Sequence, residues 1–299
     1  MVSMTFHHTL TYGLLSLSLI ALWLPAKETK RFPVRLWHIF CVAALGCGLL
    51  FGDVQLSGLL SIAILGVSCY CTASEQFTKP VRIIAGTIMF VLSVGLSLHV
   101  VPGFSNPKVV VNVIVSEGGI PYSKHLNFDK TLVGLFLLGF TCKSLLSKPQ
   151  AWGRMLKQAA PISSITIVVL LFMSFVLGYV RLEPKWSALF WFWAWTNLLF
   201  TCIAEEAVYR GIMQRFLVAG LAKYRYGATI GLVLAAVLFG LMHYPGGTKY
   251  VLLSTVAGIG YGWTYLRTQR IEASILTHFL VNCIHFVFFT YPALATALG

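Results

Sequence analysis

Acidic side chains are scarce in this chain: 9 Asp and Glu stand among 299 residues, and all Asp, Glu, Lys and Arg together make up only 10%. A soluble domain carries about 25%, so an ordinary water-facing surface is excluded. Disorder is excluded too, because disordered segments are polar and poor in aromatics, whereas this chain holds 21 Phe, 12 Tyr and 8 Trp. No disulfide framework and no zinc-type cysteine spacing appears. The seven cysteines (Cys41, Cys47, Cys69, Cys71, Cys142, Cys202, Cys283) lie in or beside apolar runs and read as small packing residues. HExxH and GxSxG are both missing, which removes two common hydrolase signatures. A two-aspartate intramembrane site is not indicated either. Basic residues are nowhere interleaved with aromatics in a continuous stretch, so the net charge of +13 does not point to nucleic acid. No Lys or Arg precedes the first apolar run, which therefore reads as a retained span rather than a cleaved signal.

What is present is apolar. Hydrophobic residues are 58% of the chain, enough for many crossings at about 20 residues per transmembrane helix. Runs bounded by turn and charge clusters predict ten spans, near 9–24, 34–52, 56–73, 81–101, 131–146, 161–180, 189–212, 227–243, 249–266 and 271–290. The expected fold is all-α, a polytopic transmembrane helical bundle in a lipid bilayer. Lys and Arg divide sixteen to six between alternate connections. The larger set includes Lys27, Lys30, Arg31, Lys143 and Arg210; the smaller includes Lys124 and Lys130. Placing the larger set in the cytoplasm leaves both termini outside. The longest connection, Pro102 to Lys130, holds the run Val109–Val115 and is expected to carry a short strand or lie on the outer surface. A basic, proline-bearing connection from Lys148 to Pro161 suggests a boundary near 155. Region 1–155 shows no motif, while region 156–299 brings polar residues into apolar runs.

Seven of the nine acidic residues, among them Glu28, Asp53, Asp129 and Glu272, fall in connections or at span ends. The other two, Glu205 and Glu206, are adjacent within the apolar run from Phe190 to Val218. A charge at membrane depth costs at least about 2.5–3.5 kcal/mol, so such a pair points to function. Glu206 and Arg210 are four apart and are expected to pair on one helical face. Glu205, rotated about 100° away, is left to face a cavity and do proton chemistry. His243 closes the run Leu232–Met242, and His278 and Asn282 are four apart on one face of the last span, with His285 beyond them.

These side chains suit two chemistries. A carboxylate and a histidine around a water act as general base and orienter, while a second histidine and an amide donate to an oxyanion. Alternatively Glu205, His243 and His278 hold a Zn²⁺ with an open position, leaving the other glutamate as base.

Three patterns in order, Glu205-Glu206-Ala207-Val208-Tyr209-Arg210 (EExxxR), Phe239-Gly240-Leu241-Met242-His243 (FxxxH) and His278-Phe279-Leu280-Val281-Asn282 (HxxxN), each lie in an apolar segment. Together they resemble the motifs of the CAAX protease and bacteriocin-processing (CPBP, or Abi) family of glutamic-type intramembrane proteases, which includes the type II CAAX prenyl endopeptidases. The resemblance covers roughly residues 156–290. It implies that Glu205 and His243 activate water, that Glu206 and Arg210 support the site, and that His278 and Asn282 stabilise the oxyanion. It implies a peptidase needing no metal cofactor, although zinc is the older view of the family. The substrate would be a membrane-associated protein or peptide, lipidated or ending in a sorting tail, and the setting a bacterial cell membrane.

Helical rise places Glu205 and His278 about 10 Å from the cytoplasmic boundary and His243 about 24 Å from it. Convergence of the three then requires Tyr244–Thr248 to dip into a polar cavity as non-helical backbone. Gly258, Gly260 and Gly262 offer a close-packing helix surface. Two other functions fit an intramembrane carboxylate and imidazole: a proton-coupled transporter using Glu205 and His278 as relays, and a non-catalytic scaffold or immunity protein.

Overall fold

The computed structural model describes residues 2–24, 35–142 and 145–298. Lys27, Glu28, Lys30, Arg31 and Lys143, counted above for orientation and acidity, fall outside them. The chain is mostly helical, and each of the ten apolar runs holds helix. The first four are α1 (Phe6–Ala21), α2 (Leu36–Phe51), α3 (Leu56–Ala73) and α4 (Lys79–Ser97). A hairpin of β1 (Lys108–Val113) and β2 (Tyr122–His125) follows, realising the strand expected over Val109–Val115. Next come α5 (Phe128–Phe136), a π turn over Leu137–Thr141 and the long α6 (Pro149–Val176).

The run bearing the acid pair is one continuous helical rod. It comprises α7 (Phe190–Thr196), a π turn (Asn197–Cys202), α8 (Ile203–Val208), a second π turn (Tyr209–Gln214) and α9 (Arg215–Gly220). The bundle ends with α10 (Gly227–Leu241), α11 (Thr248–Thr268) and α12 (Ile271–Phe288). Among the described residues four helices, α3, α4, α6 and α12, are long and apolar enough to cross a membrane.

Burial is arranged as a bilayer demands. Large apolar side chains such as Leu50, Val42, Val168 and Phe172 point outward and exposed, where lipid tails are as favourable as a protein core. Small hydroxyls face inward and bond backbone carbonyls, as Ser18 does to Trp37 at 2.7 Å. Close approach comes from small residues. A Cβ on Gly134 would lie 2.9 Å from the Ala204 Cα, so α5 presses directly on α8. Gly258 meets Ala236, Gly260 meets Thr166 and Gly262 meets Gln214, which is the packing surface expected of α11.

The segment from Lys148 to Pro161 is not a connection. Helix α6 begins at Pro149 and passes through Pro161: a proline at the first turn costs no hydrogen bond, whereas the second removes one and the helix continues past it. At one end of the bundle, the hairpin, the loop after α6 and the chain after α12 knit into a cap. Short bridges join Gly119 to Leu294 and Leu182 to Phe289, and the Ile120 amide donates to the Ala293 carbonyl at 2.9 Å. The Lys185 ammonium bonds the Phe289 carbonyl.

Candidate active site

Glu206 is the anchor. It is 0% exposed, and its Oε1 accepts from the Arg210 guanidinium at 2.9 Å, the i,i+4 pairing expected from the sequence. The same oxygen faces His278 Nδ1 at 2.8 Å. A carboxylate only accepts, so that ring nitrogen carries the hydrogen. Arg210, 1% exposed, also donates to the Gly258 carbonyl at 3.0 Å and lies over the Phe239 ring at 4.8 Å. Tyr261 stacks on His278 at 4.5 Å between centroids. The imidazole is therefore fixed on one face by an aromatic plane and at one nitrogen by a buried acid, while Nε2 points to Glu205 Oε2 at 4.0 Å.

Glu205 borders the cavity as expected, but it is not free. Its Oε1 is bound at 2.7 Å by the ammonium of Lys130, on α5. The contact of α5 with α8 at Gly134 brings that lysine within reach. Lys124, on β2, donates to Thr201 Oγ1 at 3.0 Å, one turn before Glu205. Burial, then the like charge of Lys130, pushes the Lys124 ammonium down to about 8.

His243 and Glu205 line one cavity of about 480 Å³ together with His278, Asn282, Asn197, Lys124 and Tyr250. His243 Nδ1 donates to the Phe239 carbonyl at 2.8 Å, which leaves Nε2 with its lone pair. Pro245 and Gly246 of the 3₁₀ turn Tyr244–Gly246 also line this cavity, but Tyr244, Pro245, Gly247 and Thr248 are exposed, so the connection borders the site with one edge rather than dipping into it whole. Glu205 and His243 further border a smaller cavity of about 210 Å³ with Val94, Leu98 and Met242.

The expected mismatch in depth is corrected by the length of the rod. It runs to Gly220 rather than 212, so Glu205 sits 15 residues from its end, or about 22 Å, level with His243. Helix α12 begins inside the protein, with Ile271 and Glu272 buried. Glu272, read as a span-end residue, accepts from the Leu146 amide at 2.6 Å and from Trp23 at 3.1 Å. Arg210 leaves the orientation count because it is buried in the site.

Asn282 Nδ2 donates to Asn197 Oδ1 at 3.2 Å and makes a longer contact to Cys202 Sγ at 3.8 Å. Cys202, read as mere packing, donates to the same Asn197 oxygen at 3.3 Å. The pairing spans five residues because a π turn aligns i with i+5. His285 lines the cavity but bonds the Thr290 carbonyl at 3.1 Å, away from the acids. Sequence reasoning missed Lys124, Lys130, Asn197 and Thr201. A lone amide within the run 189–212 could have flagged Asn197, whereas nothing distinguished the two lysines from other connection residues.

Among the described residues, no group of three His, Cys, Asp or Glu has metal-holding geometry. Residues 184–284 match the family model described as type II CAAX prenyl endopeptidase Rce1-like, about a third of the chain, and the three motifs lie within that stretch. No curated protein and no solved structure matches the chain.

Proposed function

We propose that the chain is an intramembrane endopeptidase that hydrolyses a peptide bond with a water activated between Glu205 and His243. The observation that carries this reading is the convergence of Glu205, His243, His278 and Asn282 on one cavity, backed by a second acid held through one oxygen by Arg210 and His278. Residues 184–284, with their Rce1-like match, contain all four side chains.

In the proposed step, Glu205 Oε2 takes a proton from the water while His243 Nε2 accepts its other hydrogen. The oxygen adds to the scissile carbonyl. The resulting oxyanion accepts hydrogen bonds from Asn282 Nδ2, in place of its long contact to the weak acceptor Cys202 Sγ, and from His278 Nε2 when that ring is doubly protonated. The proton held by Glu205 then passes to the leaving amine as the C–N bond breaks, giving an acid and an amine. Lys130 holds the other Glu205 oxygen and so orients the carboxylate.

A zinc ion on Glu205, His243 and His278 fits the donor set poorly. The Lys130 ammonium already sits on Glu205 at 2.7 Å and opposes a dication there. Turnover is expected to survive 1,10-phenanthroline; loss restored by zinc would reverse this choice.

We further propose ten membrane-crossing segments with both termini outside. Without Arg210 the larger basic set is fifteen, and without the site lysines Lys124 and Lys130 the smaller is four. The substrate class supported best is a lipidated or otherwise membrane-held C-terminal tail.

The test compares membrane proteomes of cells expressing the wild type or Glu205→Gln. An uncleaved precursor should accumulate only with the variant. If the variant folds normally and no precursor appears with any expressed partner, the hydrolase reading fails.

A further inference from the structure

Lys124 is placed where a cation is expensive, and nothing in the proposed hydrolysis uses it. It projects from β2, the strand that lies against the rod at Thr201, and lines the large cavity. Glu205 is taken by Lys130, and Glu206 by Arg210 and His278. Among the described residues no carboxylate lies within 4.0 Å of the Lys124 ammonium, and Thr201 is its one hydrogen-bond partner. Two of its three N–H donors are therefore left to the cavity. Its lowered affinity for the proton, down to about 8, reflects the same burial and the positive charge of Lys130.

The surroundings suit an anionic guest. Asn197 lines the same cavity. Tyr291 does so too, and because its oxygen accepts from Trp193 Nε1 at 2.8 Å its own hydrogen is free to donate. Leu170, Leu253 and Ala257 give the cavity an apolar part of its lining. Tyr122 of the hairpin and Pro292 of the chain after α12 also line the cavity. A substrate reaching past Glu205 toward the cap thus meets a donor cluster.

We propose that Lys124 is a carboxylate-binding subsite, which holds an anionic carboxylate of the peptide substrate about one helical turn from Glu205. The proposal rests on the peptidase reading for why a peptide enters the cavity. The carboxylate is the α-carboxylate of the peptide's own C-terminus or the side chain of an Asp or Glu. Binding is a charge-assisted hydrogen bond from Nζ, with no covalent step.

The experiment reads binding rather than turnover, so it is separable from the hydrolase reading. Full-length protein in detergent is treated with acetic anhydride, and acylation of each lysine is followed by mass spectrometry. Three probes are added in turn: N-acetyl-trialanine free acid, its carboxamide, and N-acetyl-Ala-Asp-Ala carboxamide. The free acid should slow acylation of Lys124 about tenfold, in line with a hydrogen bond to a charged group, while the plain carboxamide should not. Protection by the Asp peptide alone supports the subsite with a side-chain carboxylate as its guest. Equal protection by acid and plain carboxamide shows simple crowding and overturns the proposal, as does protection by none of the three. For a cross-check, a fluorescent free-acid tripeptide should bind about tenfold more weakly to Lys124→Met than to Lys124→Arg; equal affinities would overturn the proposal.

Discussion

Replacing Arg210 by methionine isolates the energy of the buried acid. The guanidinium is 1% exposed, holds Glu206 at 2.9 Å and the Gly258 carbonyl at 3.0 Å, and packs over Phe239 and Tyr261 at 4.8 and 5.3 Å. Methionine fills much of the same space, so the loss is chiefly electrostatic. Glu206 keeps the His278 contact on Oε1, but Oε2 has no partner among the described residues. Removing one member of a fully buried ion pair costs about 3–5 kcal/mol, because the other charge stays desolvated. Arg210→Met should lower unfolding stability by about that amount. The double variant Glu206→Gln/Arg210→Met should recover most of it, since no naked charge remains. Arg210→Lys should fall between, about 1–2 kcal/mol, because a point charge loses the forked contact to Gly258. Stability would be measured in mixed micelles by SDS titration with tryptophan fluorescence. If Arg210→Met unfolds within 1 kcal/mol of the wild type, or the double variant loses the sum of the two single losses, the neutralisation assigned to this pair is wrong.

Three more outcomes follow from the site. Lys130→Met frees Glu205 Oε1 and should reduce turnover about a hundredfold with unchanged far-UV dichroism; full activity would remove Lys130 from the site. Gly134→Leu would thrust a side chain into the Ala204 backbone and should destabilise the protein by about 1–3 kcal/mol, whereas an unchanged SDS midpoint would contradict the contact of α5 with α8. Because the Lys124 ammonium is pushed down to about 8, it is charged below that pH and neutral above it. Its acylation rate should rise through a half-maximum near pH 8, against about 10.4 for ordinary lysines, and a midpoint above 10 would refute the burial.

Much of the helical architecture was readable because apolar runs of bilayer length have few alternatives. The pairing of Glu206 with Arg210 was readable for a similar reason, since four residues along a helix fix a face. The partner of Glu205 was not. Lys130 lies 75 residues away along the chain, and reach across a bundle depends on which helices touch, here decided by one glycine at 134. The interior position of Glu272 was hidden too, because a residue at a helix end looks solvated unless its neighbours are known to cover it. Two π turns in the rod also escaped, as their extra residue leaves the apolar pattern intact. One of them turns Asn197 and Cys202 onto a common face.

The cap and α5 reach the cavity from outside the stretch that carries the three motifs. Lys130 supplies the countercharge to Glu205, and β2 supplies a wall. A truncated protein limited to residues 184–284 would thus strand an acid in lipid without its cation and open the pocket on one flank. Whoever engineers a minimal version must transplant the hairpin and the fifth helix with it, or supply a substitute base from elsewhere in the scaffold.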